Sequence, residues 1–371
     1  MASSFALSAT RARIEQLDIE IEKLQRLMDP LLAEREQCQQ TLLDYKYPIL
    51  TLPAEITSEI FLQFIPSYPE GPSFIGTQSP SFLLRICRRW RDVALTTPAL
   101  WSAVQLLLYN SRYHAQQRDL LKSWLQRSGK CALSIRVDCL KGAYDDGTIF
   151  AECVEALLCH ASRRQEIDIS LTLEELRSIA GTIQPMPLLR SVTIGIEDWE
   201  ERPEVPVPLL ADAPALKHVV LYRGFDPFVV ALPWSQITTL VAEALCAKEA
   251  VEVLRHTTML QDCHLGILDD GSAADFSMPI PSLPLRSLKL QWETFNGGGA
   301  DEIQRFFSAL HLPVLQTLSV REDFLGPNPI ATLSAVRPTG YPKQMEVLCA
   351  FTPREDYEAA FPLASFTFGP T

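Results

Sequence analysis

The stretch LPVLQTLSV, residues 312–320, begins at a proline turn and continues with alternating apolar and polar residues. Three other stretches follow the same order: MPLLRSVTI at 186–194, APALKHVVL at 213–221 and LPLRSLKL at 283–290. Their shared core is L-x-x-L-x-L with conservative substitutions. Alternation with a period of two is typical of a strand buried on one face, so each stretch predicts a β-strand.

The same pattern recurs more weakly at 237–240 and 260–265, and short apolar alternations precede it at 133–137 and 167–169. One apolar anchor per unit gives a series whose members lie 21 to 30 residues apart: Ile167, Val192, Val219, Leu240, Cys263, Leu288 and Leu318. This spacing is within or next to the range of leucine-rich repeats.

Helical periodicity lies between the strand patterns, at 149–160, 173–180 and 303–310. Strand, helix and strand at this spacing predict a right-handed stack with a parallel sheet on one side. We therefore expect an α/β chain whose residues 107–345 form a degenerate leucine-rich-repeat-like arc, followed by an irregular tail at 346–371. A compact α/β domain is the alternative.

The amino-terminal 46 residues carry a different pattern. Ile14, Leu17, Ile21, Leu24, Met28 and Leu31 alternate by three and four, and charged residues fill the other positions. This heptad seam predicts a helical or coiled-coil segment that self-associates through residues 14–45, or a helix that lies against its own domain. At Asp29-Pro30 the helix either kinks or restarts, with Asp29 as its cap.

Residues 47–106 predict a small helical domain. Ile56, Ile60 and Phe64 recur every four residues behind Pro53, and a Pro- and Gly-rich loop follows. A second apolar stripe includes Leu83, Ile86, Cys87, Trp90, Val93 and Ala94, with Arg85, Arg88, Arg89 and Arg91 on the opposite side. Thr97 and Pro98 then begin one more turn, which presents Leu100 and Trp101.

The order LPAEITSEIF, loop, LLRICRRWRDVALTTPALWSAV resembles an F-box of the type that follows a short coiled coil in many basidiomycete fungal proteins. The loop from Pro66 to Ser81 is longer than in a minimal F-box. The resemblance implies docking to a Skp-type adaptor, which bridges to a cullin scaffold. It assigns adaptor binding to Leu52, Pro53, Ile56, Ile60, Cys87, Trp90, Leu100 and Trp101.

The residues between the repeat anchors predict the surface that recruits a target. They alternate onto the exposed side of the sheet, which a repeat arc presents as an extended concave surface. The full row contains Ser191, Thr193, His218, Val220, Tyr222, Lys289, Gln291, Ser319 and Arg321. Within it we expect Thr193, His218, Tyr222, Lys289, Gln291 and Arg321 to contact the target.

Composition argues against other functional classes. The formal charge of -12 repels a phosphate backbone, so nucleic acid is a poor partner. The nine cysteines never form C-x-x-C, and no signal peptide or long apolar run occurs, which predicts a soluble protein of the cytoplasm or nucleus without membrane contact. No hydrolase, P-loop or zinc-protease motif is present, so we expect neither catalysis nor a cofactor or metal site.

The sequence thus predicts a substrate-recognition adaptor of a Skp-cullin-F-box ubiquitin ligase. A coiled-coil and repeat scaffold without a ligase role is the alternative.

Overall fold

The computed structural model describes residues 2–45, 48–66, 68, 70–108, 114–139, 148–180, 185–196, 205–222, 226–268, 278–294, 300–335 and 342–369. The chain divides into two compact units, Met1–Glu59 and Ile60–Thr371. Among the helices in these described ranges, none is both long enough and apolar enough to span a membrane.

The helices in the described residues are α1 (Ala2–Asp44), α2 (Ala54–Phe64), α3 (Pro80–Leu83), α4 (Arg88–Leu95), α5 (His114–Arg127), α6 (Thr148–Leu158), α7 (Leu173–Ala180), α8 (Ala247–His256), α9 (Ala300–Ala309), α10 (Pro329–Ala335) and α11 (Arg354–Ala360). The strands are β1 (Ala103–Leu108), β2 (Leu133–Cys139), β3 (Arg164–Leu171), β4 (Ser191–Ile196), β5 (His218–Tyr222), β6 (Thr239–Cys246), β7 (Asp262–Leu268), β8 (Ser287–Thr294), β9 (Thr317–Arg321), β10 (Gln344–Leu348) and β11 (Ser365–Phe368).

The strands of the second unit form one parallel sheet in sequence order, from β1 to β11 across the described residues. Each strand therefore pairs with its neighbours in sequence. The apolar sides of α8 and α9, which include Leu254 and Phe307, are buried in the same core as the apolar side of the sheet. The chain is thus an α/β protein with a long amino-terminal helix, as the sequence predicts at this level.

The seven predicted anchors lie on one line across the sheet. Each is the register partner of the next, from Ile167 in β3 to Leu318 in β9. The line continues to Ile135 at one end and to Met345 and Phe366 at the other. All of these side chains are buried, because alternate positions of a strand face the same side.

A backbone hydrogen-bond ladder connects consecutive repeats at the start of the strands from β4 to β10. Arg190 N donates to Gln165 O at 2.8 Å, Lys217 N donates to Arg190 O at 3.0 Å, and Thr238 N donates to Lys217 O at 2.9 Å. The ladder continues through Gln261, Arg286, Gln316 and Gln344, and each residue donates to its equivalent in the preceding unit. The turns before the strands are therefore stacked as regularly as the strands.

The prediction of an irregular tail at 346–371 is wrong. β10, α11 and β11 extend the sheet, and Tyr357, Phe361 and Phe366 are buried beneath these last strands. The L-x-x-L-x-L pattern fails there because aromatic residues replace the leucines. The sheet also begins earlier than predicted, at Ala103, inside the range assigned to the F-box.

The amino-terminal segment is one uninterrupted helix, α1, with Pro30 in its interior. Asp29 therefore does not cap a second helix, and the predicted restart does not occur. Pro30 has no N–H, so one helical hydrogen bond is missing at this point. Every side chain from Leu7 to Asp44 is exposed, including the six that form the heptad seam.

The second predicted helical stripe is divided between two helices. α3 ends at Leu83, and α4 begins at Arg88 after a turn. Cys87 caps α4, because its Sγ accepts a hydrogen bond from Trp90 N at 3.4 Å. Val93 and Ala94 are buried, as the periodicity predicts.

The helical segment shares its core with the first strand–helix unit of the sheet. Trp101 packs edge-on against Trp124 of α5 with ring centroids 4.8 Å apart, and Phe74 contacts the same ring at 5.1 Å. Trp124 Nε1 donates to Ala103 O, and Trp101 Nε1 donates to Ala94 O, both at 2.9 Å. Residues 60–106 therefore belong to the same compact unit as the sheet.

Candidate binding surfaces

Helix α2 carries an exposed apolar stripe. Ile56, Ile60 and Phe64 follow one another at intervals of four residues, so they lie on one side of the helix. Their exposed fractions are 51%, 45% and 41%. Before the helix, Pro53 is exposed and Leu52 is half-buried. The residues that the F-box resemblance assigns to the start of the motif are therefore on the surface.

A neighbouring side of the same helix is buried. Phe61 packs edge-on against Trp90 of α4, with ring centroids 5.0 Å apart. Trp90 is half-buried, and its Nε1 is enclosed without a hydrogen-bond partner among the described residues. This contact holds the carboxyl-terminal end of the helix against α4, and Ile60 and Phe64 remain exposed.

Two of the predicted adaptor-binding residues belong to the core instead. Leu100 is 1% exposed and Trp101 is 0% exposed. A side chain without accessible surface cannot contact a partner, so the assignment of these two residues to a docking surface is wrong. Their match to the family pattern reflects packing, and Trp101 also carries the Arg127 guanidinium 4.6 Å above its ring.

The region around α3 and α4 adds exposed apolar and basic groups. Phe82, Ile86 and Leu95 are exposed large apolar side chains. Four arginines of this region are exposed as well, namely Arg85, Arg88, Arg89 and Arg91. Arg91 Nε donates to Leu84 O at 2.9 Å, which holds this side chain against the turn between the two helices. The surface therefore combines apolar and positive groups in a chain of net negative charge.

The side of the sheet opposite the anchors, called here the polar face, carries the residues that alternate with them. One register line across it runs from Gln105 in β1 to Glu346 in β10, and it includes Arg136, Asp168, Thr193, Val220, Val241, His264, Lys289 and Ser319. Along this line, Arg136 and Asp168 lie side by side at β2 and β3, a hydroxyl follows at β4, and a second basic residue lies at β8.

A cleft of about 510 Å³ opens on the polar face over β2–β6. Its lining consists of Tyr68, Arg136, Asp138, Asp168, Ile169, Ser170, Ser191, Thr193, Gly195, Val220, Tyr222 and Glu243. Tyr68 comes from the segment that follows α2, and its hydroxyl lies 3.4 Å from Thr193 Oγ1. Burial raises the pKa of Tyr68, so its hydroxyl stays protonated at neutral pH.

Arg136 lies between two carboxylates in this cleft. Its Nε is 3.6 Å from Asp168 Oδ2, and its Nη2 is 3.9 Å from Asp138 Oδ2. Both distances exceed those of hydrogen bonds. Burial raises the pKa of Asp168, an effect that Asp138 reinforces and the Arg136 charge opposes.

The predicted target-contacting residues are dispersed along the polar face. Thr193 and Tyr222 line the cleft, whereas His218 is exposed one register line away. Lys289 and Gln291 are half-buried in β8. Arg321 forms an ion pair with Asp323 at 2.7 Å. The structure therefore brings two of the six together and engages Arg321 within the chain.

Sequence reasoning missed the three acidic residues of the cleft, Asp138, Asp168 and Glu243. Asp138 and Asp168 belong to strands with short alternating patterns, and they lie at the positions that alternate with the buried apolar residues. Glu243 occupies a bulge in β6, where the register shifts between Ala242 and Leu245. Extending the alternation rule to every strand would have found the first two but not Glu243.

No model of a known protein family matches this chain, and no curated protein shows significant similarity to it.

Proposed function

We propose that this chain is the substrate-recognition subunit of a Skp-cullin-F-box ubiquitin ligase. Residues 47–106 act as the F-box that binds a Skp-type adaptor, and the sheet recruits a target protein. The observation that carries the proposal is the stripe of Ile56, Ile60 and Phe64, which stays exposed on a helix whose neighbouring side is packed. Exposed apolar side chains in a contiguous stripe are typical of a protein-binding surface.

The exposed groups of α3 and α4 support the same partner chemistry. Ile86 and Phe82 offer apolar contact area, and the arginines of this region offer positive charge. An adaptor that fits these groups presents an apolar groove with acidic residues at its rim. Charge complementarity of this kind accelerates association and selects among partners.

The sheet supports a leucine-rich-repeat-like arc for the target-binding part. Its strands follow sequence order, its anchors share one register line, and a backbone ladder repeats at the start of the strands from β4 to β10. These are the properties of stacked units that each contact only their neighbours. Such stacks recruit partners along an extended surface, which corresponds here to the polar face.

The mechanism is positional. The chain holds its target close to the conjugating enzyme of the ligase and thereby raises the effective concentration of the two reactants. No nucleophile or general base of this chain takes part. A scaffold without a ligase role shares the same helices and sheet, and it differs in lacking adaptor binding.

A pull-down from cells distinguishes the ligase subunit from the scaffold. The tagged full chain is expected to recover a Skp-type adaptor and a cullin, and Ile60→Asp is expected to lose both. Gln63→Asp is the matched control, because it adds the same charge at an exposed position of α2 outside the stripe. Recovery of neither protein by the unmodified chain, or equal recovery by both variants, would refute the ligase role.

A further inference from the structure

The cleft over β2–β6 has the dimensions of a binding site. Its volume of about 510 Å³ is within the range of roughly 300 to 1,000 Å³ that ligand pockets occupy. Its walls come from Tyr68 and from five consecutive strands, all within the unit Ile60–Thr371. It is large enough for one long side chain and the peptide groups on either side.

Gly195 gives the cleft part of its depth. A Cβ atom at this position would lie 3.4 Å from Ser170 Oγ and 3.9 Å from Tyr222 Cβ, which are ordinary contact distances. A methyl group would therefore fit, whereas a larger side chain would occupy the cleft. The strand can accept such a change because Gly195 lies on the polar face, between Ser170 and Tyr222 in register.

The charge of the lining is negative. Asp138, Asp168 and Glu243 face the single cation Arg136 within the described lining. The Asp168 carboxylate accepts no hydrogen bond from the described residues, and its contact with Arg136 is a long ion pair. A half-buried carboxylate in this condition is suited to accept a hydrogen bond from a cationic donor.

Two aromatic rings add to the attraction for a cation. Tyr68 and Tyr222 both line the cleft, and aromatic faces attract guanidinium and ammonium groups. Arginine combines a planar group that stacks on such rings with donors that match a carboxylate, whereas lysine offers only a compact charge. The lining thus favours arginine, and its charge disfavours acidic groups.

We propose that this cleft receives a basic side chain, preferentially arginine, of the protein that the polar face recruits. The inference rests on the proposed function because it names the target class of the same surface. The target presents an exposed basic segment. Tyr68 and Tyr222 pack on its cation while Asp168 accepts its hydrogen bond.

Ligand-observed NMR on the full chain tests this with N-acetyl-arginine methylamide as the probe. Its neutral counterpart, the citrulline derivative, has nearly the same shape. We expect saturable binding of the arginine probe and about tenfold weaker binding of the citrulline probe, as for a lost hydrogen bond to a charged group. Equal binding of the two probes, or no saturable binding of the arginine probe, would overturn the proposal.

The variants locate the binding site. Asp168→Asn is expected to weaken binding of the arginine probe about tenfold, and Gly195→Trp is expected to abolish it. Glu346→Gln is the matched control, because it removes a carboxylate from the same register line outside the cleft. If Asp168→Asn and Glu346→Gln have the same effect, the attraction comes from the overall charge and not from the cleft.

Adaptor binding, measured on the same preparations, separates the two proposals. Asp168→Asn is expected to bind the Skp-type adaptor like the unmodified chain, and circular dichroism checks its fold. If the unmodified chain binds the adaptor but not the arginine probe, this inference is wrong and the proposed function stands. If the unmodified chain binds the arginine probe but not the adaptor, the chain binds basic peptides and has no ligase role.

Discussion

The hydroxyl of Tyr68 lies 3.4 Å from the hydroxyl of Thr193, although 125 residues separate them in the sequence. Tyr68 belongs to the segment between α2 and α3, and Thr193 lies on the polar face of β4. Gly71 of the same segment approaches Gln105 of β1. Through Tyr68, this segment contributes part of the wall of the cleft.

The first prediction concerns the contact between α2 and α4. We expect Trp90→Ala to lower the free energy of unfolding by about 3 kcal/mol, because it removes a large ring packed against Phe61. Trp90→Phe should cost much less, since it keeps a ring and deletes a buried N–H without a partner. Arg88→Ala, on the exposed side, should stay within about 0.5 kcal/mol. Denaturant melts of the full chain measure all three, and equal losses for Trp90→Ala and Arg88→Ala would show that this packing is incorrect.

The second prediction concerns the carboxyl-terminal strands. The buried Glu322 carboxylate accepts hydrogen bonds from Phe351 N at 2.7 Å and from Thr352 N at 2.9 Å. Glu322→Ala leaves these donors without their acceptor, and we expect a loss of about 3 kcal/mol in unfolding free energy. Glu358→Ala removes an exposed carboxylate paired with Arg354 and should change stability by less than about 0.5 kcal/mol. Equal losses of unfolding free energy in the two variants would show that residues 344–368 do not fold as part of the sheet.

The third prediction concerns pH. Burial raises the pKa of Asp168 above its ordinary 3.8, so the folded chain ionises this group less readily than the unfolded chain. Stability is therefore lost as the pH rises from below 3.8 through the raised pKa, and the loss persists at neutral pH. Asp168→Asn does not ionise and should melt at a higher temperature than the unmodified chain at pH 7.

The difference in melting temperature should shrink as the pH falls through the raised pKa of the Asp168 carboxyl, because the native group becomes protonated there. The groups that face the Asp168 carboxyl are Tyr68, Arg136 and Asp138, and of these only Arg136 favours the ionised form. Scanning calorimetry at several pH values measures the effect. A variant that melts lower than the unmodified chain at pH 7 would show that the attraction of Arg136 outweighs burial.

The fourth prediction concerns α1. Its seam is exposed along its whole length, so we expect two copies of the chain to pair through it as a coiled coil. Leu17→Asp combined with Leu24→Asp should give a monomer, because both charges fall in the seam. Ile19→Asp should leave the dimer intact, since Ile19 lies on the opposite side of the helix. Sedimentation over a concentration series distinguishes the species, and a monomeric unmodified chain would exclude self-association.

The sheet was largely predictable from the sequence because its signal is local. An alternating strand with a leucine such as Leu285 or Leu315 before it specifies both the strand and its buried side. The chosen anchors reproduce the register line of the structure from Ile167 to Leu318. The last strands were missed because Phe366 and its aromatic neighbours do not follow that pattern.

The binding surfaces were less predictable because they depend on tertiary contacts. On α2 the residues at 56, 60 and 64 and those at 57, 61 and 65 form adjacent columns, and periodicity alone does not decide which column is packed. Phe61 settles this by its contact with Trp90. The cleft joins five strands and Tyr68, so no single stretch of sequence contains it.

The most direct test of the account is the affinity of the purified full chain for a purified Skp-type adaptor, measured by titration calorimetry. We predict stoichiometric binding by the unmodified chain and at least about tenfold weaker binding by the variant Leu52→Ala, Pro53→Ala, because apolar anchors at a docking surface dominate its affinity. Both proteins should show the same far-ultraviolet circular dichroism and the same melting temperature. Absence of binding by the unmodified chain, or equal affinities of the two proteins, would contradict the account.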